Sequence, residues 1–264
     1  MKDYDNGTFD EFGFVIIDEV HHIGSEVFSR ALNKVNFQYS LGLSATMTRK
    51  DGLSKVFKWY LGDIVYKFIR KNKDNVNVQI YNYYSDSGLY NEECTIYNGK
   101  LNCARMINNI CSFNERTMEI VKIISQIKYN NPNRNILLLS DRREHLRTLK
   151  KYCDTLKHPN IKEIGYYVGG MKEIEMKYTE EKCDILLGTF SIAAEALDII
   201  KIYNIILLSP KTSIEQSVGR ILRKKPEDRV CIPLIIDIAD NFSIFRKQSE
   251  KLKKYYKKCK YNIK

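Results

Sequence analysis

Long apolar segments and paired cysteines are both missing from this chain of 264 residues. No stretch approaches the roughly 18 consecutive apolar residues that a membrane-spanning helix requires, so a membrane protein is not expected. The seven cysteines include no Cys-x-x-Cys pair, and their number is odd. A disulfide framework and a structural zinc site are therefore both disfavoured, and we expect reduced cysteines.

A signal peptide and a phosphate-binding loop are not recognisable either. Acidic residues stand among the first five positions, where a signal peptide needs a basic and then an apolar segment, so we expect an intracellular protein of the cytoplasm or nucleus. A Walker A loop requires Gly, four residues, Gly, Lys and then Ser or Thr. Gly165 and Gly170 have this spacing, but Met171 follows Gly170 and Glu173 follows Lys172. A glycine turn is the better interpretation, and the sequence contains no Walker A motif.

The net charge of +11 is concentrated in one part of the sequence. Residues 246–264 contain nine Lys or Arg and one acid, Glu250, so they account for +8 of that charge. With Tyr255, Tyr256 and Tyr261 interspersed, this segment is suited to phosphate attraction and to stacking on bases. A solvated terminal helix, the usual role of a charge run, is the alternative.

Apolar runs predict two α/β segments separated by a less regular stretch. Residues 12–17 and 39–43 are predicted as buried strands with a helical pattern between them, which gives a βαβ unit and a parallel sheet. Residues 71–112 are rich in Asn, Tyr and Lys, and residues 76–84 within them are predicted as an isolated strand. From residue 116 onward, apolar strands alternate with helices, which predicts a second, doubly wound α/β domain.

Asp18 and Glu19 directly follow the first predicted strand. Ligands of α/β domains gather at the carboxyl ends of parallel strands, and two adjacent acids there repel each other unless a cation is present. We therefore predict that Asp18 holds Mg²⁺ and that Glu19 polarises a water molecule for phosphoryl transfer. A strand that ends in a solvated polar turn is the alternative.

Residues 18–21 have the sequence Asp-Glu-Val-His and resemble motif II, the Walker B motif, of superfamily 2 helicases. Residues 44–46, which begin 26 positions after Asp18, have the sequence Ser-Ala-Thr and resemble motif III of the same family. The resemblance implies catalytic roles for Asp18, Glu19 and His21, and coupling of ATP hydrolysis to lobe movement for Ser44 and Thr46.

Residues 216–223 match motif VI of these helicases, Gln-x-x-Gly-Arg-x-x-Arg. On a helix, Gln216, Arg220 and Arg223 share one face, which Gly219 leaves open to close approach. Arginine fits phosphate oxygens because its charge is fixed and its donors form a rigid fork. The resemblance implies that Arg220 and Arg223 are catalytic arginine fingers for the γ-phosphate, and that Gln216 and Gly219 belong to the nucleotide site.

Two further segments resemble motifs V and IV. Residues 188–199 resemble motif V, which implies a nucleic-acid contact for Thr189 and a ribose contact with the nucleotide for Asp198. Helix capping is the alternative for Thr189. Residues 136–141 form an apolar strand tip that precedes Arg142 and Arg143, and they resemble motif IV, whose loop grips backbone phosphate.

Together with the C-terminal sequence, these motifs make the chain similar to superfamily 2 helicases, in particular to XPB-like helicases and those of large DNA viruses. The resemblance implies an α/β fold with two RecA-like parallel-sheet lobes, the first incomplete. The expected divisions are 1–70, the C-terminal part of the ATP-binding lobe; 71–112, a connector or insert; 113–240, the second lobe; and 241–264, a basic tail helix.

The implied function is ATP-dependent movement along nucleic acid, with DNA favoured over RNA, ATP as the substrate and Mg²⁺ as the cofactor. Because no Walker A motif is present, we expect the chain to be inactive alone. Three explanations stay open: a piece of a full helicase, a subunit of a split motor whose second polypeptide carries the Walker A motif, or a non-catalytic nucleic-acid-binding protein derived from a helicase. A viral origin would add the virion to the expected locations.

Overall fold

The computed structural model describes residues 7–20, 30, 32, 34–44, 54–67, 75–195, 202–221 and 228–264. The chain divides into two compact units, Met1–Lys71 and Asn72–Lys264. Each unit combines helices with a parallel sheet. The predicted α/β class with parallel sheets is therefore confirmed.

In its described part, the first unit contains two parallel strands and one helix: β1 (Phe14–Ile17), β2 (Tyr39–Gly42) and α1 (Ser54–Leu61). Ile17 lies beside Gly42 in the register of the two strands. A side chain at Gly42 is excluded, because its Cβ would lie 2.7 Å from Leu61 Cδ1 and 2.9 Å from Val20 Cγ2. The helix and the strand therefore pack in direct contact.

The described core of the first unit is small. Ile17 and Val20 are its buried apolar residues. Phe14 and Ile16 point to the opposite face of β1 from Ile17, and they are 53% and 57% exposed. This face of β1 is therefore apolar and largely exposed.

The second unit is organised around a seven-stranded parallel sheet with the spatial order β5-β6-β4-β7-β8-β3-β9. Most of its strands are apolar and buried on both faces, as a parallel sheet covered by helices requires. The strands are β3 (Asn77–Tyr83), β4 (Asn135–Ser140), β5 (Ile164–Tyr167), β6 (Ile185–Thr189), β7 (Ile202–Leu207), β8 (Leu234–Asp240) and β9 (Asn262–Ile263).

Helices cover both faces of this sheet. They are α2 (Cys103–Ser112), α3 (Asn114–Asn130), α4 (Arg143–Leu156), α5 (Glu173–Lys182), α6 (Phe190–Glu195), α7 (Glu215–Ile221) and α8 (Ser243–Lys258). In β4, Ile136 and Leu138 join a core that includes α2, α3 and α4, whereas Leu137 and Leu139 join a core that includes α6, α7 and α8. None of the described helices is long and apolar enough to span a membrane.

The structure changes several expectations for the second unit. The strand predicted to be isolated at residues 76–84 is β3, which pairs with β8 and β9 inside the sheet, so that prediction is wrong. Residues 75–112, most of the predicted connector, lie within the second unit. The basic segment is a packed helix followed by an edge strand, and Tyr256 is fully buried. The prediction that bases stack on Tyr256 is therefore also wrong.

Candidate functional site

The two predicted catalytic acids, Asp18 and Glu19, lie at the same strand edge as Ser44. The Leu43 N–H donates to Ile17 O at 2.9 Å, immediately before the acids, and the Leu43 carbonyl accepts the N–H immediately after them at 2.9 Å. The acids and Ser44 are therefore neighbours at the carboxyl ends of β1 and β2. Ligand sites of α/β proteins form at this end of the strands.

The backbone at Glu19 has an unusual conformation. Its φ is +48°, in the left-handed region that few residues other than glycine adopt. Its N–H donates to Asp18 Oδ1 at 2.8 Å, which holds one carboxylate oxygen against the turn. Backbone strain of this kind concentrates at functional sites, so the turn is a candidate for a chemical role.

The acid pair fits a magnesium ion that binds together with a phosphate ligand. Asp18 is exposed. Mg²⁺ is commonly held by one or two carboxylates and by substrate phosphates, with water completing its shell. The described residues contain no group of three or more side chains that could hold a metal by themselves.

Four predicted site residues, His21, Thr46, Asp198 and Arg223, lie outside the residues that the structure describes. The helix predicted for motif VI is present as α7, which includes the backbone of Gln216 and Arg220. Gly219 is exposed on this helix, and a Cβ there would meet nothing within 4 Å. Packing within the second unit therefore does not require glycine at position 219.

The predicted nucleic-acid contacts of the second unit meet at one edge of its sheet. Ser140, the last residue of β4, pairs in register with Thr189, the last residue of β6. Arg142 and Arg143 follow almost directly, so they lie at the same edge as Thr189. Arg143 Nη2 donates to Gly169 O at 2.6 Å, which brings the loop after β5 to this edge as well.

Arg142 and Arg143 have different surroundings. Arg142 is held by α2, since its Nη2 donates to Ala104 O at 2.9 Å and its Nε donates to Asn108 Oδ1. Arg143 is exposed, and its guanidinium bonds to the carbonyl of Gly169. Arg143 is therefore the better placed of the two to contact a phosphate.

Lys211 is a residue of this edge that the sequence analysis missed. Its Nζ lies 2.8 Å from Asp141 Oδ1 and 4.8 Å from the centroid of the Phe190 ring. Ser209 Oγ accepts a hydrogen bond from the Asp141 N–H at 3.0 Å, so the loops after β4 and β7 are joined. Polar residues soon after an apolar strand are the sequence signal that would have identified both Ser209 and Lys211.

A fully buried ion pair lies at the ends of β7 and β8. Arg116 Nε donates to Asp240 Oδ1 at 2.7 Å, and Arg116 Nη2 donates to Asp240 Oδ2 at 2.9 Å. Nη2 also donates to Leu208 O at 2.9 Å, and Tyr90 Oη donates to Asp240 Oδ1 at 2.6 Å. Burial opposes the charge of Arg116, but the Asp240 carboxylate holds its pKa above the ordinary value. The ends of β7 and β8 are thereby fixed to α3.

The end of β4 rests on a buried histidine. Ser140 Oγ lies 3.3 Å from His145 Nδ1 and accepts a hydrogen bond from the Arg142 N–H at 3.1 Å. Burial, together with the positive charge of Arg116, lowers the pKa of His145 to about 3. The imidazole is therefore neutral near pH 7, and it supports the turn that precedes Arg143.

The N-terminal sequence and the fold each resemble those of known proteins. The family model described as "Type III restriction enzyme, res subunit" matches residues 2–49. S. cerevisiae Dbp5 bound to RNA and ADP BeF3 has a similar structure, with a TM-score of 0.62 and 8% identity, over 97% of this chain and 60% of that chain. At this identity the likeness shows the fold alone.

Sequence similarity makes this relationship more specific. The chain is 39% identical over 266 residues to L396 of Acanthamoeba polyphaga mimivirus, a proposed ATP-dependent RNA helicase, covering 98% of this chain and 50% of L396. It is 28% identical over 274 residues to 161L of Invertebrate iridescent virus 6, a proposed helicase, covering 96% of this chain and 57% of 161L. The chain is related to the helicases of large DNA viruses. It spans about half the length of these curated relatives.

Proposed function

We propose that this chain supplies the later motifs of an ATP-dependent nucleic-acid helicase or translocase. In this proposal, residues 1–70 are the later part of a first RecA-like lobe, and the unit from residue 72 onward is the second lobe. One observation carries it: in each unit, the motif residues lie at the carboxyl ends of parallel strands. Asp18, Glu19 and Ser44 share such an edge in the first unit, as Arg143 and Thr189 do in the second.

The proposed chemistry is hydrolysis of the γ-phosphate of ATP. Asp18 holds Mg²⁺, which when bound offsets negative charge on the phosphates. Glu19, which lies in the strained turn, accepts a proton from the water that attacks the γ-phosphate, while the bond from the γ-phosphate to ADP breaks. Further roles are assigned by motif: Arg220 and Arg223 as arginine fingers; Gln216, Gly219 and Asp198 at the nucleotide; and His21, Ser44 and Thr46 in coupling hydrolysis to motion.

Thr189 and Arg143 are the proposed contacts to the nucleic-acid backbone. Both lie at an exposed edge where Lys211 adds a further cation. Arg142 keeps a supporting role in this proposal, because its guanidinium is bonded to α2. We propose DNA as the substrate, and the test includes RNA because L396 is a proposed RNA helicase and Dbp5 was solved bound to RNA.

A motor of this kind also needs a loop that cradles the β- and γ-phosphates, and the sequence contains none. We propose that the chain alone hydrolyses no ATP and that a Walker A segment completes it, on the same or a second polypeptide. Phe14 and Ile16 leave an apolar face of β1 exposed, and a two-stranded sheet is only marginally stable by itself. Both observations support the proposal that a further segment packs on the first unit. A non-catalytic nucleic-acid-binding protein is the second candidate, since the cations Arg143 and Lys211 at the strand ends of the second unit do not depend on a Walker A loop.

Nucleic-acid-stimulated ATPase activity tests the proposal. The assay uses the chain alone and the chain mixed with a polypeptide that carries the Walker A half of a related viral helicase, each with single-stranded DNA or RNA. We expect ATP hydrolysis only in the mixture and none with the chain by itself. Absence of hydrolysis in both, with salt-sensitive binding retained, would favour the non-catalytic protein.

Glu19→Gln separates the proposed base from the fold. We expect this variant to lose hydrolysis in the active mixture while it keeps nucleic-acid binding, because the amide cannot accept the proton from water. Glu11→Gln is the matched control, since Glu11 is an exposed acid of the same unit outside the motif. Turnover of Glu19→Gln at the control rate would rule out the assigned base.

A further inference from the structure

Helix α8 presents two opposite stripes of different chemistry. Its buried stripe consists of Phe245, Ser249, Leu252 and Tyr256, at spacings of four, three and four residues. Positions two residues further along lie about 200° away around a helix, on the opposite side. These positions form what we call the lysine ridge: Lys247, Lys251, Lys254 and Lys258, all of them exposed.

The charges of the lysine ridge are not balanced by acids. On other helices of the second unit, exposed cations pair with acids one turn away: Lys122 with Glu119 at 2.6 Å, and Lys177 with Glu173 at 2.7 Å. In the described parts of the chain, no ridge lysine has an ion pair, and Glu250, the one acid of α8, has none either. Like charges one turn apart destabilise a helix, so the ridge is unfavourable unless an anion covers it.

We infer that the lysine ridge is a second nucleic-acid contact, which binds backbone phosphates independently of sequence and outside the edge that carries Arg143 and Thr189. The inference rests on the proposed function in one respect, which is the identification of the partner as a nucleic acid. Four lysines over about 16 Å of helix suit a strand whose phosphates repeat at regular short intervals.

The surface of α8 favours nucleic acid over a membrane or an apolar protein surface. No large apolar side chain of α8 is exposed, so the helix lacks the buried anchor that membrane-surface helices use. Tyr255 and Tyr256 are turned into the core and are not available for stacking on bases. Phosphate contact by flexible lysines is the chemistry that this surface offers.

The test substitutes all four ridge lysines by glutamine in the full chain and compares binding of a single-stranded DNA oligonucleotide over a range of salt concentrations. Each phosphate contact contributes about 0.7 to the slope of log K against log salt for a single strand, so the slope should fall in magnitude by up to about 3. A matched control replaces four helix cations that have acid partners by glutamine, giving the same net charge: Lys122, Arg147, Lys150 and Lys177. The control should keep most of the wild-type slope.

A third variant replaces the four ridge lysines by arginine and should bind as the wild type does. If the glutamine variant of the lysine ridge and the control variant lose equal affinity while the wild type binds, the inference about the lysine ridge is wrong. The proposed motor function is then unaffected. A wild type without salt-sensitive binding overturns both. Ridge-dependent binding without ATPase activity in any mixture supports the ridge and overturns the motor. Ridge-dependent binding to phosphatidylserine vesicles, with none to the oligonucleotide, overturns nucleic acid as the partner.

Discussion

Arg116 and Asp240 form a two-point ion pair in which neither side chain is exposed to solvent. The two residues are 124 positions apart in sequence, and their pairing joins α3 to the end of β8. Tyr90 and the carbonyl of Leu208 complete the set of partners. The pair therefore fixes the ends of β7 and β8 to α3.

Breaking this pair should be more damaging than replacing it. Arg116→Met and Asp240→Leu each leave a buried group without its partner, so each should lower the free energy of unfolding by about 3–5 kcal/mol. The double variant Arg116→Met/Asp240→Leu should lose less than the sum of the two, because neither charge is left alone. Urea denaturation of the three variants and the wild type gives the values.

Lys122→Met is the control for this cycle, since it breaks an exposed pair with Glu119 and should change the unfolding free energy much less. Additive losses in the double variant would mean that Arg116 and Asp240 act independently. In that case the pair would not be the link between α3 and β8 that the geometry indicates.

The sequence predicted those features that depend on short stretches of chain. An apolar run identified β4, because a strand buried on both faces needs no polar alternation. Asp18 and Glu19 directly follow an apolar run, which predicts their position at the carboxyl end of a strand, and β1 indeed ends at Ile17. Relationship to helicases followed from the same short motifs.

Features that depend on distant partners were not predictable in this way. The pairing of strand β3 could not be predicted, because the strand contains polar residues and its neighbour β8 lies more than 150 positions later. No residue near Arg116 in the sequence indicates its partner, because Asp240 lies 124 positions later. The prediction that Tyr256 stacks on bases is wrong because the many lysines around it made the apolar stripe of α8 difficult to recognise in the sequence.

Asp237 should make stability depend on pH. Burial raises its pKa from 3.8 to about 6; the Tyr256 hydroxyl and Lys253 act against this rise, and Asp240 adds to it. A raised folded pKa gives stability that is present below pH 3.8 and lost as pH rises through about 6. Asp237→Asn cannot titrate, so its unfolding free energy relative to wild type should increase by roughly 2 to 3 kcal/mol between pH 4 and 7.

Urea denaturation at a series of pH values measures this difference. The depressed pKa of His145 acts in the opposite sense, since its stability is lost as pH falls from 6.5 toward 3, but both proteins share it and it cancels. Asp86→Asn, at an exposed position, serves as the control. A difference between Asp237→Asn and wild type that is constant with pH would show that folding does not raise the pKa of Asp237.

Arg143→Ala and Arg142→Ala should have separable effects. Arg143 is exposed, so its loss should reduce the salt slope of single-stranded DNA binding by about 0.7 and leave stability nearly unchanged. Arg142 holds α2 through Ala104 and Asn108, so its loss should cost about 1–3 kcal/mol of unfolding free energy. Salt-dependent binding and urea denaturation on both variants provide the measurements. A reversed pattern would move the phosphate contact from Arg143 to Arg142.

Gly219→Ala should stabilise the fold and impair the proposed motor. The position is exposed inside α7, and the added Cβ would meet nothing within 4 Å. Alanine is a better helix former than glycine, so the free energy of unfolding should rise by roughly 0.5 to 1 kcal/mol. If glycine is present because a nucleotide approaches this face, the same methyl group should reduce ATP hydrolysis in the mixture with a Walker A segment.

The opposite directions of these two changes make the experiment decisive. Loss of activity in a more stable protein cannot result from unfolding, so it would assign the open face of α7 to the nucleotide. Gln126→Ala on α3 is the control, since Gln126 is also exposed on a helix but lies outside every motif. Gly219→Ala with the turnover of this control would show that the face of α7 at residue 219 does not approach the nucleotide.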